Sequence, residues 1–407
     1  MAPLQDIVVI DFSKLIAGPL CTQYLGDMGA SVIKIEDCLQ GDDLRGMPPF
    51  VGDDGAMFYA MNRHKKSVAL NLKSPEGLEI AKRLIQKADV LVESFGTGVA
   101  DRLGIGPQAM RELNSRLVYC SVSGFGRTGP LRERAGLELM MQAFTGLMLT
   151  TGEANSGPLR IGFSPLDQTT GVHAVSAVLS GLRVRDKTGL GTYVEVSLLE
   201  TAMGLMGWHA QTFWATGKAP VRPGSGHESL CPYQAFMASD DYLLLGIAND
   251  GLWRKFCRVS GLEEYGESPR FRTNAQRVLH WEETVTLVQG VISRKSVASW
   301  AEIFTEAGIP FSPINALEAA LKNEQISARH LAMEYQHQTG GSMKAMAYPV
   351  RFEGMERQVR SPPPLHAEHT GEVLTDMLHM THEQIGALAD GGHLKLAANT
   401  ADLSPSS

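Results

Sequence analysis

The chain has 407 residues, 43% of them hydrophobic and 20% charged, with a net charge of -7. That length suits a large core and two domains, and the acidic balance speaks against a general nucleic-acid binder. No apolar run reaches the roughly 18 residues of a membrane span.

The cysteines (Cys21, Cys38, Cys120, Cys231 and Cys257) form no C-x-x-C pair and are odd in number. That fits reduced thiols in a cytoplasmic protein better than a disulfide framework. No His/Cys cluster has zinc-like spacing and no H-E-x-x-H occurs, so no metal is expected.

The opening MAPLQDIVVIDF lacks the basic segment and cleavage site of a secretory leader. Residues 6–12 instead predict a short buried parallel strand. A loop and a helix follow, with Leu20, Tyr24, Leu25 and Met28 at helical spacing, and SVIKIED predicts a second strand. Strand, helical connection, strand is the signature of a βαβ unit. The pattern recurs through SVALNLKS, then PEGLEIAKRLIQKA with Pro75 in its first turn, then DVLVESF, and later LVYCSVSGFG. The N-terminal half is therefore a doubly wound α/β domain. The first turn reads S-K-L-I-A-G-P rather than G-x-G-x-x-G, and no Walker A occurs, so the nucleotide-oxidoreductase reading falls.

Residues 158–200 organise the chain. They deliver one carboxylate, Asp167, to the start of an apolar helical run from Val172 to Leu182. A basic, glycine-punctuated turn, Arg183 to Gly191, leads to a strand from Tyr193 to Ser197 and a second helix. The bland reading of Asp167 is a helix N-cap. The sharper one is a nucleophilic carboxylate poised by its neighbours. Spacing alone does not choose.

Beyond residue 200, Met and Trp recur at helical spacing through residue 217, as core or interface residues do. The turn-rich KAPVRPGSGHESLCP marks a boundary. Residues 233–247 predict a hairpin about Ser239, Asp240 and Asp241, and helices then dominate to Ala307, stopped by Gly308. This smaller α/β unit runs to about residue 325. SPPPLHAEHTGEVLTDML resumes helical periodicity before a Ser- and Pro-bearing end expected to be disordered.

Five stretches in order now carry a resemblance: LIAGPLCTQYLGDMGASVIKIE, NRHKKSVALNLKSPEG, LVESFGTGVADRLG, SGFGRTGP and LDQTTGVHAVSAVLSGLRVRDKTGLGTYVEVSLLE. Together they resemble the family III CoA transferases, which include formyl-CoA, carnitine-CoA and succinyl-CoA-dependent dicarboxylate transferases and the 2-methylacyl-CoA racemases. The likeness spans nearly the whole chain, including PYQAF and PPPL-x-x-EHT. It is specific for the family and weakly so for the substrate.

The resemblance implies an α/β fold with a Rossmann-like large domain built from both chain ends, residues 1–215 and 326–407. A smaller α/β domain, residues 216–325, lies between them, and two chains form an intertwined homodimer. CoA and acyl-CoA enter as substrates, and no permanently bound cofactor is implied. The partners are acyl-CoA and small carboxylic acids, with no nucleic acid and no membrane.

In these transferases the nucleophile is an Asp five residues after the glycine of R-x-G. Here Arg160-Ile161-Gly162 places it at Asp167. Glu138, in RAGLELMMQ, matches an assisting acid, its bland reading being an exposed helix Glu. Ile16 stands where the formyl-CoA member has a Gln that contacts the reacting groups, so acid binding differs there. Leu15, Ala17, Leu70, Lys73, Phe95, Arg102 and Leu103 match CoA-binding positions. Apolar side chains and backbone would sandwich adenine while Lys73 and Arg102 meet phosphates, unless they are solvated surface charges. Asp37 replaces an Arg of the formyl-CoA member, leaving that phosphate contact to Arg63, Lys65 or Lys66.

His227, in GSGHESLCPYQAF, resembles a G-x-x-H segment of dicarboxylate-using relatives and would hydrogen-bond a substrate carboxylate, or else line a turn. The segment lacks the long glycine run of the formyl-CoA member, which argues against formate/oxalate specificity.

Such an enzyme moves a thioester by covalent exchange on the Asp, without hydrolysis if water is excluded. Succinyl-CoA is the expected donor, by likeness of GDDLRG, NRHKKS and the GSGH segment to dicarboxylate-using relatives. The acceptor is not legible. The racemases instead need a His–Asp acid/base pair in a G-H-D segment, which here reads Gly136-Leu137-Glu138. With Leu137 in the His place that machinery is incomplete. A non-catalytic CoA-binding scaffold is the remaining rival, but it would not need Asp167.

Overall fold

A computed structural model describes residues 2–397; the Ser- and Pro-bearing end read above as disordered lies outside them. Six short runs rich in Val and Ile form the parallel part of one sheet: β1 (Val8–Asp11), β2 (Ser31–Glu36), β3 (Lys65–Leu70), β4 (Val90–Glu93), β5 (Val118–Ser123) and β6 (Tyr193–Ser197). Their order is β3-β2-β1-β4-β5-β6, and a short antiparallel strand, Leu394–Lys395, closes the β3 edge. Successive residues alternate between two cores: Val9, Val32, Val90 and Val118 face one, Ile10, Ile33, Leu91 and Tyr119 the other. A period of two with both faces apolar is what a parallel sheet covered on both sides requires.

The strand order reverses between β1 and β4. In doubly wound sheets the ligand crevice lies outside the carboxyl ends of the strands at that switch point.

Helices α1 (Ala17–Asp27) and α2 (Pro75–Gln86) follow β1 and β3. Pro75 opens α2, and the Ser74 hydroxyl caps it by accepting from Gly77 N. Helix α3 (Glu138–Phe144) is short, and α4 (Pro165–Thr188) runs for 24 residues before α5 (Leu198–Leu205). Helix α4 begins at Pro165 rather than Val172, because a proline lacks only an N–H that the first turn leaves unpaired anyway. It stops at Gly189, whose φ of +77° suits a residue without Cβ.

The chain divides into two compact units. Residues 2–145, 161–211 and 328–397 form the first, and residues 146–160 and 212–327 the second. The second holds a three-stranded antiparallel sheet of Tyr233–Met237, Tyr242–Gly246 and Phe311–Pro313, with a core around Trp253, Phe256, Trp300 and Phe304. Its hairpin turns at Ser239 to Asp241, and its helix Val297–Ala307 ends at Gly308, both as the sequence implies. Residues 146–160 join this unit well ahead of the boundary read near residue 216.

A second hairpin, Ala332–His337 with Gly341–Met346, was not anticipated; Met333, Tyr335 and His337 are its buried face. Among the described residues no helix is long and apolar enough to cross a membrane.

Candidate active site

The loop after β1 is held from beneath by buried charges. Asp11 accepts from Ser13 N (2.9 Å), the Thr22 hydroxyl (2.6 Å), Lys65 Nζ (3.0 Å) and the Ser13 hydroxyl. Burial alone would raise its carboxyl, but Lys65 and Lys34, with these hydroxyls, hold it down at about 2. Lys34 Nζ donates to Ser13 O and pairs with Asp42, both at 2.7 Å. Asp42 Oδ1 in turn accepts from Leu15 N. Leu15 thus sits at φ +66° in a turn where dinucleotide-binding folds use glycine.

Lys14 N donates to the Ser94 hydroxyl (3.0 Å), and the Phe12 and Phe95 rings meet at 6.0 Å. These contacts join the loops after β1 and β4 across the switch point.

Six of the seven expected CoA-binding residues stand in the loops and helix ends beyond β1, β3 and β4. Leu15 is half-buried and Ala17 opens α1; Lys73 and Arg102 are exposed; Phe95 and Leu103 are half-buried. Phe95 is fixed by its backbone, its N donating to Glu93 and its O accepting from Arg127, each at 2.7 Å.

Leu70 is the exception: its side chain is 1% exposed in the core and its backbone pairs with Leu394. Contact with adenine through that side chain is closed off.

Two of the three cations offered in place of an Arg at Asp37 are likewise unsuitable. Arg63 is buried against Asp27 (2.8 and 2.6 Å), and Lys65 is buried against Asp11, Pro19 O and Asn62. A lysine or arginine so enclosed neutralises a protein carboxylate, not a ligand phosphate. Lys66 pairs with Glu372 at the surface (2.6 Å). Asp37 itself is exposed, its carbonyl in contact with His366 Nε2 at 2.8 Å.

Helix α4 lies along α1 at close range. A Cβ on Gly171 would stand 2.7 Å from Ala17 O and 3.2 Å from Leu20. Only glycine permits that approach, and it sets the start of α1 about one turn from Asp167.

Asp167 is the third residue of α4, so it is not the N-cap; Ser164 holds that place without a side-chain capping bond. Burial, then the charge of Glu138, push the Asp167 carboxyl up to about 7. Glu138 opens α3 and is not an exposed helix Glu. Its carboxylate accepts from Gln142 Nε2 (2.8 and 3.1 Å) and faces Leu166 N at 3.4 Å. Leu137 is the α3 N-cap residue, 54% exposed, and Ile16 is the half-buried N-cap residue of α1.

His227 belongs to the second unit, in a turn where Ser229 N donates to its Nδ1 (3.2 Å) and its N donates to Tyr233 O (3.1 Å). The sequence reading missed Gln142, whose signal was its place one helical turn after Glu138. Among the described residues no group of three or more His, Cys, Asp or Glu gathers as a metal site would need.

The protein is thus of the doubly wound α/β class, with two neighbouring acids, Glu138 and Asp167, at the start of α4. The sequence pattern of CoA-transferase family III matches residues 4–370, and the chain belongs to that family. It is 34% identical to a human succinyl-CoA:glutarate CoA-transferase, over 96% of this chain and 89% of that one. It is 33% identical to a succinate–glutarate CoA-transferase of Agrobacterium fabrum, over 92% and 96%. A crystal structure of a CAIB/BAIF family protein from Brucella suis superposes with a TM-score of 0.82 at 32% identity, over 92% of this chain and 99% of that one. The protein is a CoA-transferase, an enzyme whose substrates are CoA thioesters.

Proposed function

We propose that this enzyme moves CoA from succinyl-CoA to a small dicarboxylic acid through covalent intermediates on Asp167. The observation that carries the reading is the Asp167 carboxylate at the start of α4, beside Glu138 and raised to about 7. An Asp with that proton affinity is a stronger nucleophile than an ordinary carboxylate and is ionised in neutral to mildly alkaline solution.

A carboxylate oxygen attacks the donor thioester carbonyl. The C–S bond breaks, leaving a mixed anhydride and CoA thiolate. The thiolate attacks the aspartyl carbonyl, releasing succinate and forming an aspartyl-CoA thioester. The acceptor carboxylate attacks that carbonyl, giving a second anhydride and free thiolate, which takes the acceptor acyl group and returns Asp167 as carboxylate. Each step exchanges one activated acyl bond for another, so little free energy is lost while water is kept out.

The relatives named for succinyl-CoA or succinate with glutarate support this choice of donor and acceptor class. Leu137, apolar where a ring base would stand, favours transfer over racemisation. Leu15, Ile16, Ala17, Lys73, Phe95, Arg102 and Leu103 hold the thioester, and His227 is proposed as a contact for the acid.

The working form is proposed to be an intertwined homodimer. Helix Gly207–Thr216 has no buried residue in the single chain, and its Trp208 and Trp214 are 61% and 74% exposed. Aromatic surface of that extent supports an interface there.

The test is incubation with succinyl-CoA and a panel of mono- and dicarboxylates, with new thioesters followed by mass spectrometry. Asp167→Ala should lower turnover at least about a thousandfold. An unchanged rate in that variant overturns the reading. Deuterium gained by a 2-methylacyl-CoA from heavy water would favour the racemase instead. Sedimentation at a single-chain mass would overturn the dimer.

A further inference from the structure

Gln142 is fully buried on α3, one turn after Glu138. Its Nε2 donates to both oxygens of Glu138, at 2.8 and 3.1 Å, and its Oε1 accepts from Ile161 N at 2.9 Å. These partners fix the amide's orientation. A backbone N–H can only donate, so the oxygen must face Ile161; a carboxylate can only accept, so the NH2 must face Glu138. One side chain thus ties the assisting acid to the chain six residues before Asp167. The Glu138 carboxylate held in this way faces Leu166 N at 3.4 Å, the residue before Asp167, and its charge bears on Asp167.

The elements packed on α4 bring few other charges to this end of it. On α1, Asp27 is at the far end, paired with Arg63 and His64. On α5, Glu200 is held by the Ser197 hydroxyl, and on β6, Glu195 accepts from Arg127 N. His173 of α4 itself contacts the Thr201 hydroxyl at 3.1 Å. Arg185 pairs with Asp89 at the other end of α4, where Arg183, Asp186 and Lys187 also lie.

We propose that Gln142 is a positioning residue that holds the Glu138 carboxylate in place beside Asp167, and so sets the pH above which transfer proceeds. The proposal rests on Asp167 as nucleophile. Removing the donor lets Glu138 turn away, which relieves Asp167 and lowers its proton affinity. Placing an acid at residue 142 does the reverse, because two carboxyls and Asp167 then share one pocket.

The experiment compares kcat/KM against pH for wild type, Gln142→Met, Gln142→Glu and Glu138→Gln, each first shown folded by its melting transition. In Gln142→Met the acid limb should move down by about half a pH unit or more, with kcat at pH 8 reduced about fivefold. KM for acyl-CoA should stay within about twofold, since the amide is buried against Glu138 and Ile161. In Gln142→Glu the limb should move up. Glu138→Gln should shift it down as Gln142→Met does, and the double variant Glu138→Gln, Gln142→Met should show no additive shift.

A merely structural glutamine would lower kcat in both Gln142 variants and leave the limb unmoved, and that result overturns the proposal. If Gln142→Met does not fold, opposite shifts in Gln142→Glu and Glu138→Gln support the proposal, and equal or absent shifts overturn it. An active Asp167→Ala would instead overturn the underlying nucleophile assignment.

Discussion

Two aspartates in this molecule are set against each other by their surroundings. Asp11, at the end of β1, is fully buried yet held at about 2, because hydroxyls, a backbone N–H and two lysines surround it. Asp167, at the start of α4, is less enclosed yet raised to about 7, because burial lifts it and the Glu138 charge lifts it further instead of offsetting the burial. Burial alone does not make a reactive acid. What decides is whether the neighbours stabilise the anion. Asp11 stays ionised and shapes the loop that carries Leu15, whereas Asp167 holds its proton more tightly and is the nucleophile proposed above.

The contrast can be tested first at its structural pole. Lys65→Met removes the cation closest to Asp11 and leaves a buried charge short of a partner. A loss of about 3 kcal/mol in denaturant unfolding is expected. Asp11 has a depressed carboxyl, so its contribution is present above its unfolded value near 4 and fades as pH falls through about 2. The gap between wild type and Lys65→Met should therefore narrow in acid.

Gly171→Ala probes the contact that brings α1 beside Asp167. Its new Cβ would meet Ala17 O at 2.7 Å, and backbone cannot yield cheaply. A cost of about 2 kcal/mol is expected, with reduced turnover in the folded fraction.

Asp167→Asn tests the reactive pole through stability. The folded value lies above the unfolded one, so the unfolded chain ionises first as pH rises. The fold loses stability between about 4 and 7 and recovers none above that. The amide variant should therefore equal wild type near pH 4 and exceed it by about 1–2 kcal/mol at pH 8. A difference that grew towards acid would refute the assignment. The smallest effect is Lys66→Ala, which breaks an exposed pair with Glu372 and should cost under about 0.5 kcal/mol by thermal melting.

Much of this was legible one segment at a time. DIVVIDF, SVIKIED and DVLVESF carried their strands, because a parallel strand buried on both faces reads as an unbroken apolar run. Pro165 was a readable start for α4 that the reading passed over in favour of the apolar run at Val172. AMEYQH followed by a glycine turn likewise alternated in plain sight, its buried face falling on every second residue.

Other outcomes had no local signature. Arg63, Lys65 and Lys66 are adjacent or nearly so in sequence. Two are sealed against carboxylates and one meets solvent, because a strand sends successive side chains to opposite sides and loops from elsewhere decide what waits there. The Leu70 side chain is likewise in the core because of distant packing, with Leu394 paired beside it.

The sequence by itself determined the elements, the family and the position of Asp167, since periodicity, turn chemistry and ordered motifs are local properties of the chain. Only the tertiary structure decided which acids have a raised and which a lowered proton affinity. Glu138 is 29 residues before Asp167, and Lys65 is 54 residues after Asp11. A carboxylate's proton affinity is set by whatever packing brings within a few ångströms of it, which no local pattern records.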